Sequence, residues 1–206
     1  MEKMITFPSG NLVLEGLYNK VSDTRAAIIT HPHPLYGGDM CNPVVESLMH
    51  SFKRQNYTTL RFNFRGTGGS EGTYDDGISE GQDVLEAIRF LVDSGITSIH
   101  LAGYSFGSWV LAHMDEIPAV VVGMVFVSPP LALLPFKGNR SFPLLKLVIT
   151  GEEDEIAPVK LISDSLAGWY SDARFEVIDF ADHFYFGCFE ALEQVMHEYL
   201  TGFQLS

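Results

Sequence analysis

Hydrophobic positions recur along this chain with two periods, one of two residues and one near 3.6. Residues 4–7 and 11–18 are short apolar stretches joined by Pro8-Ser9-Gly10, which predicts an antiparallel hairpin at a sheet edge. Ala26-Ala27-Ile28-Ile29-Thr30 is a continuous apolar run, the pattern of a strand buried on both faces. Residues 59–64 alternate Leu60, Phe62 and Phe64 against Arg61 and Asn63, predicting another strand. Further apolar runs at 98–104, 119–127, 144–150 and 175–180 read the same way.

Between these runs the period lengthens. Asn42 is placed to cap a helix whose first residue is Pro43, and Val44, Val45, Leu48, Met49 and Phe52 give it an apolar stripe. Ser79 with Gln82 has the form of a capping box ahead of Val84, Leu85, Ile88, Leu91 and Val92, with Gly95 as the terminating residue. A helix from residue 106 follows the strand at 98–104. Pro158 opens another carrying Leu161, Ile162, Leu166 and Trp169. The last is marked by Phe189, Leu192, Val195, Met196, Tyr199 and Leu200. A hairpin followed by repeated strand–helix units calls for an α/β fold with a mostly parallel sheet of about eight strands and helices on both faces. Chemistry on such a sheet gathers at the C-terminal strand ends, here the loops 31–38, 103–107, 151–157 and 181–187.

The loop at 103–107 reads Gly103-Tyr104-Ser105-Phe106-Gly107, a G-x-S-x-G pattern between a strand and a helix. A turn this sharp forces its central residue into a strained conformation and pushes Ser105 Oγ out beside a helix N-terminus. The Phe106 N–H faces the same space and can bond an oxyanion. His183 in the loop 181–187 can take and return a proton near neutrality. Of the acids in the loop 151–155, Asp154 is preferred to orient it. Glu152, Glu153 and Glu155 are longer and better solvated, and Asp182, adjacent to His183, is the alternative. A second oxyanion donor is expected from the loop 31–38. Pro32 and Pro34 have no N–H, which leaves His33, Leu35 or Tyr36, with Leu35 favoured.

Composition narrows the partners. The chain has 206 residues and is read as one domain, 1–206. A formal net charge of −13 disfavours nucleic acid and anionic membrane surfaces. No apolar run approaches a membrane span and the N-terminus lacks a signal-peptide core, so a cytoplasmic protein is expected. Cys41 and Cys188 match no metal or redox spacing and read as free buried thiols. His31 and His33 could pair on a metal, but a hydrolytic metal needs at least three ligands, so no metal and no cofactor is expected. His100 reads as a satisfied core or edge histidine. Arg65 is read as serving loop carbonyls and a nearby carboxylate. Arg65-Gly66-Thr67-Gly68-Gly69-Ser70-Glu71-Gly72 lacks the lysine of a phosphate loop and the spacing of a dinucleotide fingerprint, which excludes nucleotide binding.

Five segments in order, 31–38, 61–66, 103–107, 151–154 and 181–184, resemble the α/β-hydrolase superfamily, and more narrowly its small, lid-less, dienelactone-hydrolase-like bacterial members. True dienelactone hydrolases carry cysteine where Ser105 stands. The resemblance implies a Ser105–Asp154–His183 triad cleaving carboxylic esters of small to medium acyl chains through an acyl-enzyme. Thioesters, lactones and amides fall within the same chemistry, and a non-catalytic binding scaffold is the competing class. Residues 128–143 are too few for a helical cap. Leu131, Leu133, Leu134, Pro135 and Phe136 are placed to line the mouth of a cleft.

Overall fold

The predicted hairpin forms the edge of one eight-stranded sheet. The computed structural model describes residues 1–136, 142–169 and 173–204. Strands β1 (Lys3–Ser9) and β2 (Leu12–Asn19) pair antiparallel, and β2 pairs antiparallel with β4 (Thr58–Phe62). From β4 onward every pairing is parallel, through β3 (Arg25–Thr30), β5 (Ser98–Tyr104), β6 (Val121–Val127), β7 (Leu145–Gly151) and β8 (Arg174–Ile178). The strand order is β1-β2-β4-β3-β5-β6-β7-β8.

Period-two alternation divides the core between the two faces of this sheet. Ala26 and Ile28 of β3 pack with α2 (Glu80–Asp93), α3 (Phe106–His113) and α4 (Val159–Trp169). Ala27 and Ile29 point the other way, to α1 (Pro43–Arg54) and α5 (Phe189–Gln204). The Asn42 side chain accepts the Val44 N–H at 2.9 Å, and the whole predicted stripe of α1 is buried. Gly95 ends α2 at φ +96°, a conformation open to glycine without strain.

Several local expectations change. Ser79 lies at φ −86°, ψ −16°, already helical, so its hydroxyl cannot turn back to cap α2. It bonds the Asp75 carboxylate instead, and Gln82 bonds Glu86. The strand predicted over 175–180 ends at Ile178, because Phe180 takes φ +60° and turns outward. Leu161 of α4 is exposed. Arg61 is buried, its charge met by Glu2 at 2.7 Å and Glu46 at 3.0 Å. Both cysteines are free, but Cys41 is exposed and Cys188 half-buried, so neither is a core thiol. Arg65 serves the buried Asp83 at 2.6 Å, as expected. His100 is fully buried with no hydrogen-bond partner at either ring nitrogen, ringed by Phe52, Tyr57, Tyr199 and Phe203, and so is not satisfied.

The expectation of a cap-free segment at 128–143 falls partly on residues 137–141, outside the described residues. In the described part, Leu133 and Leu134 line a cavity above the sheet, joined by Pro130. Leu131 packs on the core, Pro135 gives its carbonyl to the Trp109 indole N–H at 3.0 Å, and Phe136 stacks on Trp169.

Candidate active site

Parallel pairing brings the C-terminal ends of β3, β5, β6, β7 and β8 to one edge, with Thr30 opposite Gly103, Tyr104 opposite Val127, and Gly151 opposite Ile178. At the end of β5 the chain turns abruptly into α3. Ser105 takes φ +51°, ψ −118°, a region that side-chain-bearing residues occupy at a cost of about 1–3 kcal/mol. Close packing makes the turn possible. A Cβ on Gly107 would meet the Thr30 carbonyl oxygen at 2.6 Å, and one on Gly103 would meet the Ser108 nitrogen at 2.5 Å. The Ser105 N–H is spent on the Val127 carbonyl at 2.9 Å, which fixes the elbow to the sheet.

His183 lies in the loop after β8, and its Nε2 is 2.9 Å from Ser105 Oγ. Its Nδ1 is 2.9 and 3.0 Å from the two carboxylate oxygens of Asp154. The ring is flanked by Tyr104, and the Tyr104 hydroxyl donates to the His183 carbonyl at 2.7 Å. Asp154 is buried in the loop after β7, where its Oδ1 accepts the N–H groups of Ile156 and Ala157 at 2.9 and 2.7 Å. Burial pushes its pKa up, but hydrogen bonds from His183, Ser128 and Ala157 and the nearby imidazole outweigh it and hold the carboxyl below its ordinary value. Gly151 lets the two loops meet, since a Cβ there would strike the Ala181 carbonyl oxygen at 2.1 Å.

The structure therefore brings Ser105, Asp154 and His183 into one hydrogen-bonded line. Glu152, Glu153 and Glu155 are exposed. Asp182 is exposed as well and caps the Phe184 N–H at 2.9 Å, with no hydrogen bond to the imidazole among the described residues.

Leu35 does not join the line. Its N–H donates to the His33 Nδ1 at 3.3 Å, and its side chain is exposed. The Tyr36 N–H is also committed, to the His33 carbonyl at 3.1 Å. The short 3-10 turn Pro34–Tyr36 consumes these donors. Among the described residues the N–H groups of His33 and of Phe106 have no hydrogen-bond acceptor, and both residues line the cavity. Phe106 is the first residue of α3, so its N–H has no intrahelical partner. The rings of His33 and Phe106 are 4.9 Å apart. The placement of Leu35 as oxyanion donor is corrected on these grounds. Proline arithmetic had kept His33 open as a donor, but the 3-10 turn was not visible in the sequence.

The cavity has a volume of about 520 Å³ and is walled mostly by apolar and aromatic groups, among them Tyr36, Phe106, Leu133, Leu134, Ile156 and Phe184. His31 is remote from metal chemistry. Its Nδ1 bonds the Pro32 carbonyl at 2.7 Å and its Nε2 accepts the Phe64 N–H at 3.1 Å. Among the described residues no group of three or more His, Cys, Asp or Glu is placed to hold a metal ion. No helix among them is long and apolar enough to cross a membrane. The residues missed in the sequence are Tyr104, which holds the His183 backbone, and Ser128, whose hydroxyl bonds the Tyr185 hydroxyl at 2.8 Å beside Asp154. Neither carries a local sequence signal.

Residues 34–204 match the model of the alpha/beta hydrolase family. Protein RP471 of Rickettsia prowazekii (strain Madrid E) is 31% identical over 210 residues, covering 96% of this chain and 87% of that protein. An alpha-beta serine hydrolase homologue from Coxiella burnetii superposes with a TM-score of 0.84 at 30% identity, covering 96% of each chain. XC6422 from Xanthomonas campestris, a serine hydrolase without a lid, shares the fold with a TM-score of 0.88 at 23% identity, covering 98% of this chain and 94% of that one. With an elbow serine at the edge of a mostly parallel eight-stranded sheet, and the family's match over most of its length, this chain belongs to the α/β-hydrolase family and is similar to its lid-less bacterial members.

Proposed function

We propose that the protein is a serine hydrolase that cleaves carboxylic esters of small to medium acyl chains through an acyl-enzyme. The observation that carries this reading is the unbroken line of hydrogen bonds from Ser105 Oγ through His183 to Asp154, contributed by three separate loops. His183 Nε2 takes the Ser105 proton as Oγ attacks the ester carbonyl. Asp154 accepts the Nδ1–H and stabilises the imidazolium. The carbonyl oxygen becomes an oxyanion, held by the N–H groups of Phe106 and His33, neither of which is committed to an acceptor. His183 then returns the proton to the leaving alkoxide. Water, deprotonated by the same nitrogen, releases the acyl group and restores Ser105.

The apolar walls of the cavity suit an uncharged acyl group and give no salt-bridge partner to an anionic one. The likeness to a serine hydrolase homologue at 30% identity supports the hydrolase class. The continuous sheet supports the reading of residues 1–206 as one domain. The test is labelling with a fluorophosphonate followed by mapping of the modified residue. Labelling at Ser105 alone is expected, together with hydrolysis of p-nitrophenyl acetate. Labelling elsewhere, or none alongside no turnover, would overturn the reading.

A further inference from the structure

The His33 side chain sits in a hydrogen-bond chain that the hydrolytic steps above leave unused. Its Nδ1 accepts the Leu35 N–H at 3.3 Å, and its Nε2 is 3.0 Å from the Tyr74 hydroxyl. A nitrogen that accepts an N–H carries no proton, so in the neutral ring the proton sits on Nε2 and is donated to the Tyr74 oxygen. The roles run in one direction, from the Leu35 N–H to the His33 ring and from the ring to the Tyr74 oxygen.

The rings reinforce it. His33 packs on Tyr36, Tyr74 and Phe106 at centroid distances of 4.8, 5.1 and 4.9 Å, and Tyr74 packs on Phe106 at 5.7 Å. The two residues whose N–H groups are assigned to the oxyanion, His33 and Phe106, thus belong to one aromatic cluster. Tyr74 comes from the loop before α2 and does not line the cavity. Burial holds the His33 imidazole below its ordinary pKa, with Asp76 opposing, which keeps the ring in the neutral form the chain requires.

We infer that Tyr74 is a positioning residue for the oxyanion hole, acting through the His33 side chain to hold the 31–38 turn so that the His33 N–H faces the reacting carbonyl. This rests on the acyl-hydrolase reading above. A donor aimed in advance stabilises charge that appears only in the transition state, so losing its brace lowers kcat and leaves ground-state binding alone.

The experiment compares wild type, Tyr74→Phe, His33→Ala and His33→Asn with p-nitrophenyl acetate and with a trifluoromethyl ketone, whose serine adduct carries an oxyanion. Tyr74→Phe keeps the ring and removes one hydroxyl. It is expected to lower kcat by about tenfold with KM within about twofold, and to weaken the ketone by a similar factor. Fluorophosphonate should still label Ser105 alone. His33→Ala should lose more, and His33→Asn should recover part of that loss, because its amide oxygen can replace Nδ1 as acceptor for the Leu35 N–H. Unchanged kcat and ketone affinity in Tyr74→Phe, or a rise in KM at constant kcat, would overturn the inference while leaving the hydrolase reading intact. A wild type inert to substrate and fluorophosphonate alike would overturn both.

Discussion

The hydroxyl of Tyr104 donates to the main-chain carbonyl of His183 at 2.7 Å, so the residue before the elbow serine holds the backbone of the imidazole that serine faces. The two residues are 79 positions apart in the chain. The contact ties the end of β5 to the loop after β8 and sets the height of the ring above Ser105. Tyr104→Phe removes one buried donor and leaves the carbonyl unpaired, at a cost of about 1–3 kcal/mol. The expected result is a Tm lower by roughly 2–4 °C per kcal/mol and a fall in kcat larger than the change in KM. Thermal denaturation and steady-state kinetics read both. A variant with wild-type kcat would remove Tyr104 from any role in placing His183.

Strain at the elbow gives an opposite signature. Ser105 sits at φ +51°, where glycine is at ease. Ser105→Gly should abolish turnover and fluorophosphonate labelling while raising stability by about 1 kcal/mol, after allowance for the entropy of the unfolded glycine. Ser105→Ala should abolish turnover without that gain, since alanine keeps a Cβ. Equal melting temperatures for the two variants would mean that the backbone here is not strained.

The acid is tested by a pair of isosteric changes. Asp154→Asn leaves the Ile156 and Ala157 N–H groups an acceptor but cannot hold the imidazolium, and in a comparable triad that change lowers kcat about 10⁴-fold. Asp182→Asn keeps an acceptor for the Phe184 N–H and should change kcat less than about threefold. The reverse ranking, read by initial rates, would move the acid to Asp182.

Two fully buried histidines contribute most to the acid limb of stability, with the half-buried His33 acting in the same direction. Burial lowers the pKa of His31 and of His100 to about 4, against 6.5 for the ordinary side chain. Between those values the unfolded chain binds protons that the folded chain does not, so stability falls as pH drops from 6.5 towards 4. Each contributes on the order of 3 kcal/mol over that window. Below about pH 4 neither adds further loss. His100→Leu removes a ring with two unpaired nitrogens from an aromatic pocket and should raise stability at neutral pH and flatten the slope between pH 6.5 and 4. Urea midpoints across that range check it. A slope unchanged by the substitution would show that His100 does not carry it.

What the sequence determined by itself was local or periodic. Apolar alternation decides which face of a strand is buried, so β3 and the stripe of α1 were readable without partners. The elbow was readable for the same reason: Gly103, Ser105 and Gly107 constrain a turn among themselves. Asp154 and His183 were legible one step further, because parallel β-α units bring their loops to the same edge wherever the chain between them runs. Tertiary structure decided everything that depended on competition for a partner. Arg61 looked like the polar half of an alternation until Glu2 and Glu46 closed over it. His100 looked satisfiable until the pocket around it filled with aromatic rings. His33, Leu35 and Tyr36 all stood open as donors in the sequence, with Leu35 favoured, and only the 3-10 turn, with Tyr74 reaching across 41 positions to the His33 ring, committed the Leu35 and Tyr36 N–H groups and left that of His33 without an acceptor. A pattern reports what a residue prefers within a few neighbours. Which donor remains unpaired depends on every acceptor the fold brings within about 3 Å, and those come from anywhere in the chain.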